Sequence, residues 1–415
     1  MYAVRAPTCF DGSRFLPGGA TVLVAEGLVA GVEPFGYDVP DGSQVVSYDG
    51  TLLPGLVDTH VHLVTDSGPD ALGRVAGYSA TEIDDVVTEA LRRHLAAGVT
   101  TVRDLGDRDF TVVERRDRQA AGGSPGRPRE PHIVASGPPV TVPGGHCHFL
   151  GGEAVGPEQL RAAVRERVDR GVDVVKVMAS GGMNTPGTDV TAAQYPTEEL
   201  RVLVDECHAA GLPVAVHAHA ATAVEQAVEL RVESIEHASY LSRSSALADA
   251  PGVAALMASR ADAELLERLA SSGIAVCPTL GGFSVAALSK APPPMLARMR
   301  ELGVTPESLH EARLGLVARM ADAGVRLVSG TDVGIMPGKA HGAYAEAVLE
   351  LAAVESAAAA LAAATSEAAE VCGRRTGRLQ PGWDADLLVV GGDLTQDLSA
   401  LRRPVAVVLA GQPLT

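Results

Sequence analysis

The sequence GLVDTHVH at residues 55–62 is the first of eight short apolar segments in the middle of the chain. The other seven segments are residues 100–105, 132–136, 172–179, 213–219, 234–237, 274–279 and 325–332. Amphipathic or alanine-rich stretches with helical periodicity lie between them. Runs this apolar are typical of strands covered on both faces, as in a parallel sheet. Eight alternations of strand and helix predict an α/β fold with a (β/α)8 TIM barrel rather than an open sheet.

The two ends of the chain have a different pattern from its middle. Residues 1–54 contain short β-branched runs separated by glycine, proline and aspartate, without a helical period. Strand character returns at residues 385–390 and 405–410. The C-terminal part is too short to form a core of its own. We therefore predict a small β-sandwich domain built from residues 1–54 and 375–415, beside a barrel domain at residues 55–374.

The composition argues against several classes of partner. The 415 residues carry a formal charge of −17, which repels nucleic-acid phosphates and anionic lipid headgroups, and only 3% are aromatic residues that could stack on bases. The sequence has no apolar stretch of about 20 residues, and its five cysteines include no CxxC pair. It starts without the basic and apolar regions of a secretory signal. We expect a cytoplasmic protein with a small-molecule substrate and neither nucleic acid nor membrane as partner; homo-oligomerisation is left open.

Histidine and aspartate recur at the predicted C-terminal ends of the strands, where barrel enzymes place their catalytic groups. His60 and His62 are two residues apart, so both rings point to one face of the strand and supply half of a metal site. An isolated pair of this kind also fits two core histidines. Core packing is a poorer explanation than a metal site for the whole set of residues at the strand ends. The set comprises His60, His62, His217, His219, His237 and Asp332. The histidines of the predicted helices are expected at the surface, namely His94, His208 and His310.

Lys176 lies inside the apolar sequence VVKVM at residues 174–178. A buried ammonium costs several kcal/mol unless it is paired or chemically altered. One interpretation is an ion pair with Asp332 or Glu236. The other is that the neutral amine takes up CO2 and becomes a carbamate, an anionic group with two oxygens that can bridge two hard cations. We favour the carbamate because the neighbouring residues are of metal-ligand types.

These segments resemble the amidohydrolase superfamily, specifically its imidazolonepropionase-like and Xaa-Pro dipeptidase-like branch. The resemblance covers nearly the whole chain, and its motifs are specific when taken together. They are LLPGLVDTHVHL at 52–63, AGVTTVRDLG at 97–106, GVDVVKVMASGG at 171–182, VAVHAHA at 214–220, SIEHASYL at 234–241, VSGTDVG at 328–334 and GRLQPGWDADLLVV at 377–390.

The resemblance implies a centre with two divalent metal ions, of which zinc is the expected metal. One ion would be held by His60, His62 and Asp332. The other would be held by His217 and His237, and carboxylated Lys176, a carbamate derived from CO2, would bridge the two ions. His219 competes with His217 as the ligand from the fifth strand. Strand alternation favours neither, whereas the family's spacing favours His217 and places His219 near the substrate.

The resemblance also implies a mechanism. A hydroxide held by two metal ions is nucleophilic near neutral pH, because the metals lower the pKa of water to about 7. Asp332 is expected to orient this hydroxide and to pass its proton to the leaving amine. His146, in the GGH sequence at residues 144–146, is the candidate for stabilising the oxyanion. Tyr195, after the fourth strand, is the candidate contact for a substrate carboxylate; a packing role is the alternative.

The expected activity is therefore metal-dependent hydrolysis of an amide bond, in a dipeptide or an N-acyl amino acid. Hydrolysis of a cyclic amide or a lactone by the same centre is the alternative. The two differ in whether activity needs a free carboxylate beside the scissile bond. A scaffold without chemistry is a third interpretation, and it is disfavoured because every expected metal ligand is present.

Overall fold

The computed structural model describes residues 1–122, 129–241, 261–282, 284–291 and 293–414. The chain begins with seven strands, which are β1 Tyr2–Ala6, β2 Thr8–Phe10, β3 Phe15–Leu16, β4 Ala20–Ala25, β5 Leu28–Pro34, β6 Gln44–Ser47 and β7 Thr51–Pro54. Seven strands of the middle region follow, which are β8 Leu56–Val61, β9 Val99–Asp104, β10 His132–Ala135, β11 Val175–Met178, β12 Val214–Ala220, β13 Ser234–Leu241 and β14 Ala275–Cys277. The last strands are β15 Leu387–Val390, β16 Pro404–Leu409 and β17 Gln412–Pro413.

Helices alternate with the strands of the middle region. Those before β12 are α1 Ala71–Arg74, α2 Ala80–Ala96, α3 Thr111–Ala120, α4 Gly156–Asp169 and α5 Thr197–Ala209. The later ones are α6 Ala221–Leu230, α7 Ala263–Ser272, α8 Val285–Leu288, α9 Pro293–Glu301, α10 Pro306–Asp322, α11 Tyr344–Ala352, α12 Ala357–Ala363 and α13 Ser366–Val371. None of these described helices is both long and apolar enough to cross a membrane.

The middle strands form two parallel sheets, β8-β9-β10 and β11-β12-β13-β14. Every residue of β8, β9, β11, β12 and β14 is buried, as expected for strands covered on both faces. Hydrogen bonds connect the segment after β10 to β11: the Val140 amide donates to the Lys176 carbonyl at 2.8 Å, and the Met178 amide donates to the Val140 carbonyl at 2.8 Å.

The predicted eighth strand, residues 325–332, is wrong as a continuous strand. Single parallel bridges connect this segment to its neighbours, between Val276 and Leu327 and between Val61 and Val333. The Asp332 amide donates to the His60 carbonyl at 2.7 Å. Asp332 itself has φ of +57°, in the left-handed region, so regular extended pairing cannot continue through it.

Helix α2 shows how a helix packs against the sheets. Ser79 and Glu82 form a capping box at its start, and a stripe of buried residues follows at helical spacing, comprising Ile83, Val87, Ala90, Leu91 and His94. The surface position predicted for His94 is therefore wrong. Its ring is fully buried, and Nε2 lies 3.2 Å from Nδ1 of His341. The apolar face of α2 includes position 94, so the ring is carried into the interior with it.

Strands from the two ends of the chain meet in one sheet of order β17-β16-β15-β7-β2-β3. Its central pairing is antiparallel, with Leu387 opposite Pro54. A second sheet has the order β5-β4-β1-β6. Apolar residues of both sheets form one buried cluster that includes Val22, Leu52 and Val389. The predicted boundaries of a sandwich domain at residues 1–54 and 375–415 stay a prediction.

Candidate metal centre

The polar side chains at the strand ends line one cavity at the C-terminal ends of the parallel strands. The cavity holds about 770 Å³ of empty space, counting the part open to solvent. Eight of the nine predicted site residues line it, namely His60, His62, His146, Lys176, His217, His219, His237 and Asp332. Each of these eight side chains is buried, with 7% or less of its residue surface exposed. The structure thus brings together residues that are separated by up to 272 positions in the sequence, from His60 to Asp332.

His60, His62 and Asp332 form the first group of ligand atoms, all within 4.8 Å of one another. Oδ1 of Asp332 lies 3.5 Å from Nε2 of His60 and 3.2 Å from Nε2 of His62. Nδ1 of His62 donates to the Gly106 carbonyl at 3.4 Å, since a carbonyl oxygen can only accept. Nε2 of His62 therefore faces Asp332, and a cation between them would be shared by the group.

Asp58 ties the two chain segments of this group together. Its carboxylate accepts from the Thr331 hydroxyl at 2.6 Å and from the amides of Thr331 and His60 at 3.1 and 3.2 Å. Burial raises the pKa of Asp58 to about 7, although these hydrogen bonds oppose the shift. The contacts hold the end of β8 against the residue that precedes Asp332, and so position ligands from both segments.

His217, His219 and His237 form the second group, again with ligand atoms within 4.8 Å of one another. Nε2 of His217 donates to the Gly181 carbonyl at 3.1 Å, which leaves Nδ1 as the ring nitrogen that could bind a metal ion. Nδ1 of His237 lies 2.9 Å from the Thr279 hydroxyl, and Nδ1 of His219 lies 3.0 Å from the Ser239 hydroxyl. In each of the two histidines of β12, these hydrogen bonds thus leave one ring nitrogen that could bind a metal ion. His217 stays the predicted ligand of the two.

Burial keeps four of the imidazoles neutral, those of His60, His217, His219 and His237. It lowers the pKa of His60 to about 4 and the pKa of His219 to about 3, because a charged ring would lose its hydration. The pKa values of His217 and His237 lie well below the ordinary value for the same foremost reason, and neighbouring histidines add to the effect. At neutral pH each ring therefore offers a lone pair, which is the form that binds a metal ion.

Lys176 is the buried amine of the cavity. Only 1% of the residue is exposed, and within the part of the chain that the structure describes Nζ has no hydrogen-bond partner. The alternative of an ion pair with Asp332 or Glu236 is thus not what the geometry shows. Burial, more than any neighbouring charge, lowers the pKa of Lys176 to about 8. A lowered pKa favours the neutral amine, which is the form that reacts with CO2. The resulting carbamate would add two oxygen atoms that could bind metal ions.

Polar residues beneath the candidate metal ligands hold the ring of His60. Oε2 of Glu236 accepts from Nδ1 of His60 at 2.8 Å. The other carboxylate oxygen accepts from Arg103 at 2.9 Å, and Arg103 also donates to the Thr59 carbonyl at 2.7 Å and to the Ser234 hydroxyl at 3.1 Å. Burial opposes ionisation of Glu236, but Arg103 and His60 outweigh it and hold the pKa of Glu236 well below its usual value. The carboxylate thereby fixes the tautomer of His60 with Nε2 facing the centre.

We expect Glu236→Gln to weaken metal binding by about 10- to 100-fold, the usual cost of losing a partner that orients a metal-binding histidine. The amide keeps the shape of Glu236 but leaves the Arg103 guanidinium without its carboxylate. Chelator competition monitored by elemental analysis measures the affinity. Glu229→Gln, on an exposed side chain of α6, is the matched control. Unchanged metal affinity in Glu236→Gln would show that His60 is held by its packing alone.

His146 and Tyr195 have different positions relative to the cavity. The His146 ring lies 4.5 Å from the His217 ring between centroids, and its Nδ1 lies 2.7 Å from the Thr185 hydroxyl. Tyr195 is buried, does not line the cavity, and donates from its hydroxyl to the Ala154 carbonyl at 2.9 Å. This position favours the packing alternative for Tyr195 over contact with a substrate carboxylate, because its hydroxyl is bonded to a backbone carbonyl outside the cavity lining.

Cys147 also lines the cavity, and its Sγ lies 3.6 Å from Nε2 of His146. Burial raises the pKa of this thiol to about 12, so it stays protonated at neutral pH. A thiolate nucleophile paired with His146 is thus not what the site supplies.

Sequence reasoning missed Lys339. Its ammonium donates to Oδ2 of Asp332 at 2.8 Å, and the residue is 3% exposed and lines the cavity. Burial opposes ionisation of Asp332, but Lys339, together with His62 and His60, holds the pKa of Asp332 well below its usual value. No sequence pattern distinguishes this lysine, since a loop lysine after glycine is ordinarily solvated. Arg103, the partner of Glu236, is different. A charged residue within an apolar strand is a sequence signal for a buried polar contact.

Comparison with known proteins finds a family and several enzymes that resemble this chain. A family model described as "Amidohydrolase family" matches residues 51–414. The chain is 25% identical over 389 residues to ochratoxinase of Aspergillus niger, which covers 86% of this chain and 73% of that enzyme. It is 27% identical over 417 residues to imidazolonepropionase of Salinispora tropica, which covers 93% and 88% of the two chains.

A solved structure of a Xaa-Pro dipeptidase with methionine bound in its active site is also similar. It superposes with a TM-score of 0.81 at 24% identity, over 99% of each chain. This likeness shows a fold, namely an α/β architecture that resembles a TIM barrel.

Proposed function

Since the chain belongs to the amidohydrolase family and is a hydrolase of carbon–nitrogen bonds, we propose that it cleaves an amide bond in a dipeptide or an N-acyl amino acid. The observation that carries this proposal is the cavity in which two groups of three ligand atoms meet the unpaired amine of Lys176. Buried neutral histidines beside one carboxylate are a donor set for divalent metal ions.

The proposed centre holds two divalent ions, with zinc as the preferred metal. His60, His62 and Asp332 would hold one ion, and His217 and His237 the other. Carboxylated Lys176 would bridge them: the amine nitrogen bonds to the carbon of CO2 and loses one proton, which leaves an anionic carbamate. The bound ions would supply an activated hydroxide and a Lewis acid for the scissile carbonyl.

The chain's own residues would then move and stabilise charge. Oδ1 of Asp332 lies on the side of His60 and His62, whereas Oδ2 accepts from Lys339 in this structure. During the reaction Oδ2 would take up a proton and return it to the leaving amine. His146, near His217 at the cavity wall, would donate to the oxygen that gains negative charge. His219 would contact the substrate beside the metal ligands.

The remaining cavity wall supports a substrate with an apolar side chain. It is formed largely by flexible aliphatic and thioether groups, which are Leu72, Met178, Met183, Leu288, Met295, Ile335 and Met336. Methionine adapts to irregular apolar ligands. The related Xaa-Pro dipeptidase holds methionine in its active site, and an amino acid of that character suits this wall.

Hydrolysis of a cyclic amide is the second candidate, favoured by the similarity to imidazolonepropionase. The same centre would serve a lactone. Activity on ring substrates that lack a carboxylate would favour this candidate over the first.

We also propose that the fold is a closed (β/α)8 barrel with a composite β-sandwich domain. The hydrogen bonds of residues 325–333 to β14 and β8 support the closure, since the Val328 amide donates to the Val276 carbonyl at 2.9 Å and the His62 amide donates to the Val333 carbonyl at 3.2 Å. The pairing of β15 with β7 supports the composite domain.

We expect elemental analysis to find two divalent ions per chain after expression with zinc and bicarbonate. The two ligand groups and the orphaned Lys176 amine motivate this stoichiometry. Assays on dipeptides, N-acyl amino acids, cyclic amides and lactones would then identify the substrate class. At most one tightly bound ion would contradict the binuclear centre.

A further inference from the structure

The ammonium of Lys339 occupies the cavity on the side of Asp332 that faces away from the other ligands. Nζ donates to Oδ2 of Asp332 at 2.8 Å, whereas Oδ1 lies near His60 and His62. The chain has only three lysines, which are Lys176, Lys290 and Lys339, and uses arginine for its other basic positions. Two of the three line this one cavity, so the amine at position 339 is unlike the surface cations.

The loop around Lys339 holds its side chain in place. The Gly334 amide donates to the Lys339 carbonyl at 2.8 Å, and the Lys339 amide donates to the Met336 carbonyl at 2.9 Å. The aliphatic stem passes against Gly282, where an added Cβ would lie 2.0 Å from Cε and 2.7 Å from Cγ of the lysine. Only glycine at position 282 leaves room for the stem, so this slot directs the ammonium into the cavity.

The buried ammonium of Lys339 presents its charge to the cavity, and a buried ammonium is stabilised by anions near it. Asp332 accepts a hydrogen bond from it at 2.8 Å, and the buried carboxylate of Glu350 also interacts with its charge. An ammonium has three N–H donors. A substrate anion that enters the cavity can therefore accept from Lys339 alongside Asp332.

We propose that Lys339 binds the carboxylate of the substrate and makes the enzyme selective for amides of amino acids that retain a free carboxylate. This inference rests on the proposed function and deepens it. Lys339 takes the role that the sequence suggested for Tyr195, whose hydroxyl is bonded to the Ala154 carbonyl. The apolar wall would receive the side chain of the same amino acid, so the cavity recognises an apolar group and an anion together.

Calorimetric binding to the zinc-loaded protein tests the proposal without relying on turnover. The probes are the N-acetyl derivatives of L-leucine, L-methionine and L-phenylalanine, each compared with its neutral amide. We expect the native protein to bind at least one acid about tenfold or more tightly than its amide, the scale of a hydrogen bond between charged groups. Lys339→Gln should reduce this ratio to about one, and metal content by elemental analysis should stay at the native value.

Two further variants complete the experiment. Gly282→Ala should also lower the acid-to-amide ratio, because its methyl group displaces the lysine stem while every charge is retained; it tests the idea even if Lys339→Gln does not fold. Lys290→Gln removes an exposed lysine and should keep the native ratio.

Three results would overturn the proposal: no acid preference in the native protein, an unchanged ratio in Lys339→Gln or Gly282→Ala, or loss of metal in Lys339→Gln, which would make Lys339 a support for Asp332. These outcomes are separable from failure of the proposed function. Amide hydrolysis without acid preference keeps the function and removes the role of Lys339. Acid preference without amide hydrolysis keeps the role of Lys339 and removes the proposed function.

Discussion

Lys176→Ala is expected to lose nearly all turnover and to retain at most one metal ion per chain. The side chain is buried at the junction of the two ligand groups, and its Nζ has no hydrogen-bond partner among the described residues. Its removal deletes the proposed bridging carbamate, which leaves the second ion with histidine ligands alone. Elemental analysis and steady-state rates on the best substrate measure the two effects.

Addition of a small carboxylate to Lys176→Ala should distinguish loss of the proposed carbamate from damage to the fold. Formate, acetate or propionate can enter the space left by the lysine and offer two oxygens, so part of the metal content and part of the rate should return. Lys290→Ala, at an exposed position, controls for loss of a lysine and should behave as the native protein. Full metal content and a native rate in Lys176→Ala would make Lys176 a structural residue only.

Asp332→Asn is expected to lower kcat by at least about 10²-fold, the usual scale of general acid–base catalysis. The amide preserves the size of the side chain and an oxygen for the metal, but it cannot take up a proton. Burial opposes ionisation of Asp332, but the ammonium of Lys339 and the hydrogen bond with His62 hold its pKa well below the usual value, so the native carboxylate is ionised at neutral pH.

Metal content should be measured alongside the rate of Asp332→Asn, because a fall in both would reflect loss of a ligand. The prediction is a fall in kcat that exceeds any fall in bound metal. Asp322→Asn, at an exposed position in α10, is the matched control. If Asp332→Asn turned over at the native rate, the proton would have to move through another group, with His237 the next candidate.

The amidohydrolase family and hydrolysis of carbon–nitrogen bonds, both predicted from the sequence, are confirmed by the family match over residues 51–414. The motifs that resemble the family carried this information, and local patterns carried the strand positions. Apolar runs predict buried strands. Successive side chains of a strand point to opposite faces, so His60 and His62, two residues apart, are predicted on the same face. Seven of the eight predicted segments overlap strands of the structure. The eighth pairs only through single bridges at Leu327 and Val333, and the left-handed backbone of Asp332 ends its extended conformation.

The sequence by itself thus determined the residue types of the centre, their positions at strand ends and the class of reaction. Only the tertiary structure decided which nitrogen of each imidazole is free, because a partner such as Glu236 or Gly181 belongs to another strand or loop. It also decided that Tyr195 is directed to the Ala154 carbonyl and that Lys339 faces Asp332. Hydrogen bonds between distant segments depend on how the loops fold over the strand ends, and loop conformation leaves no periodic pattern in the sequence.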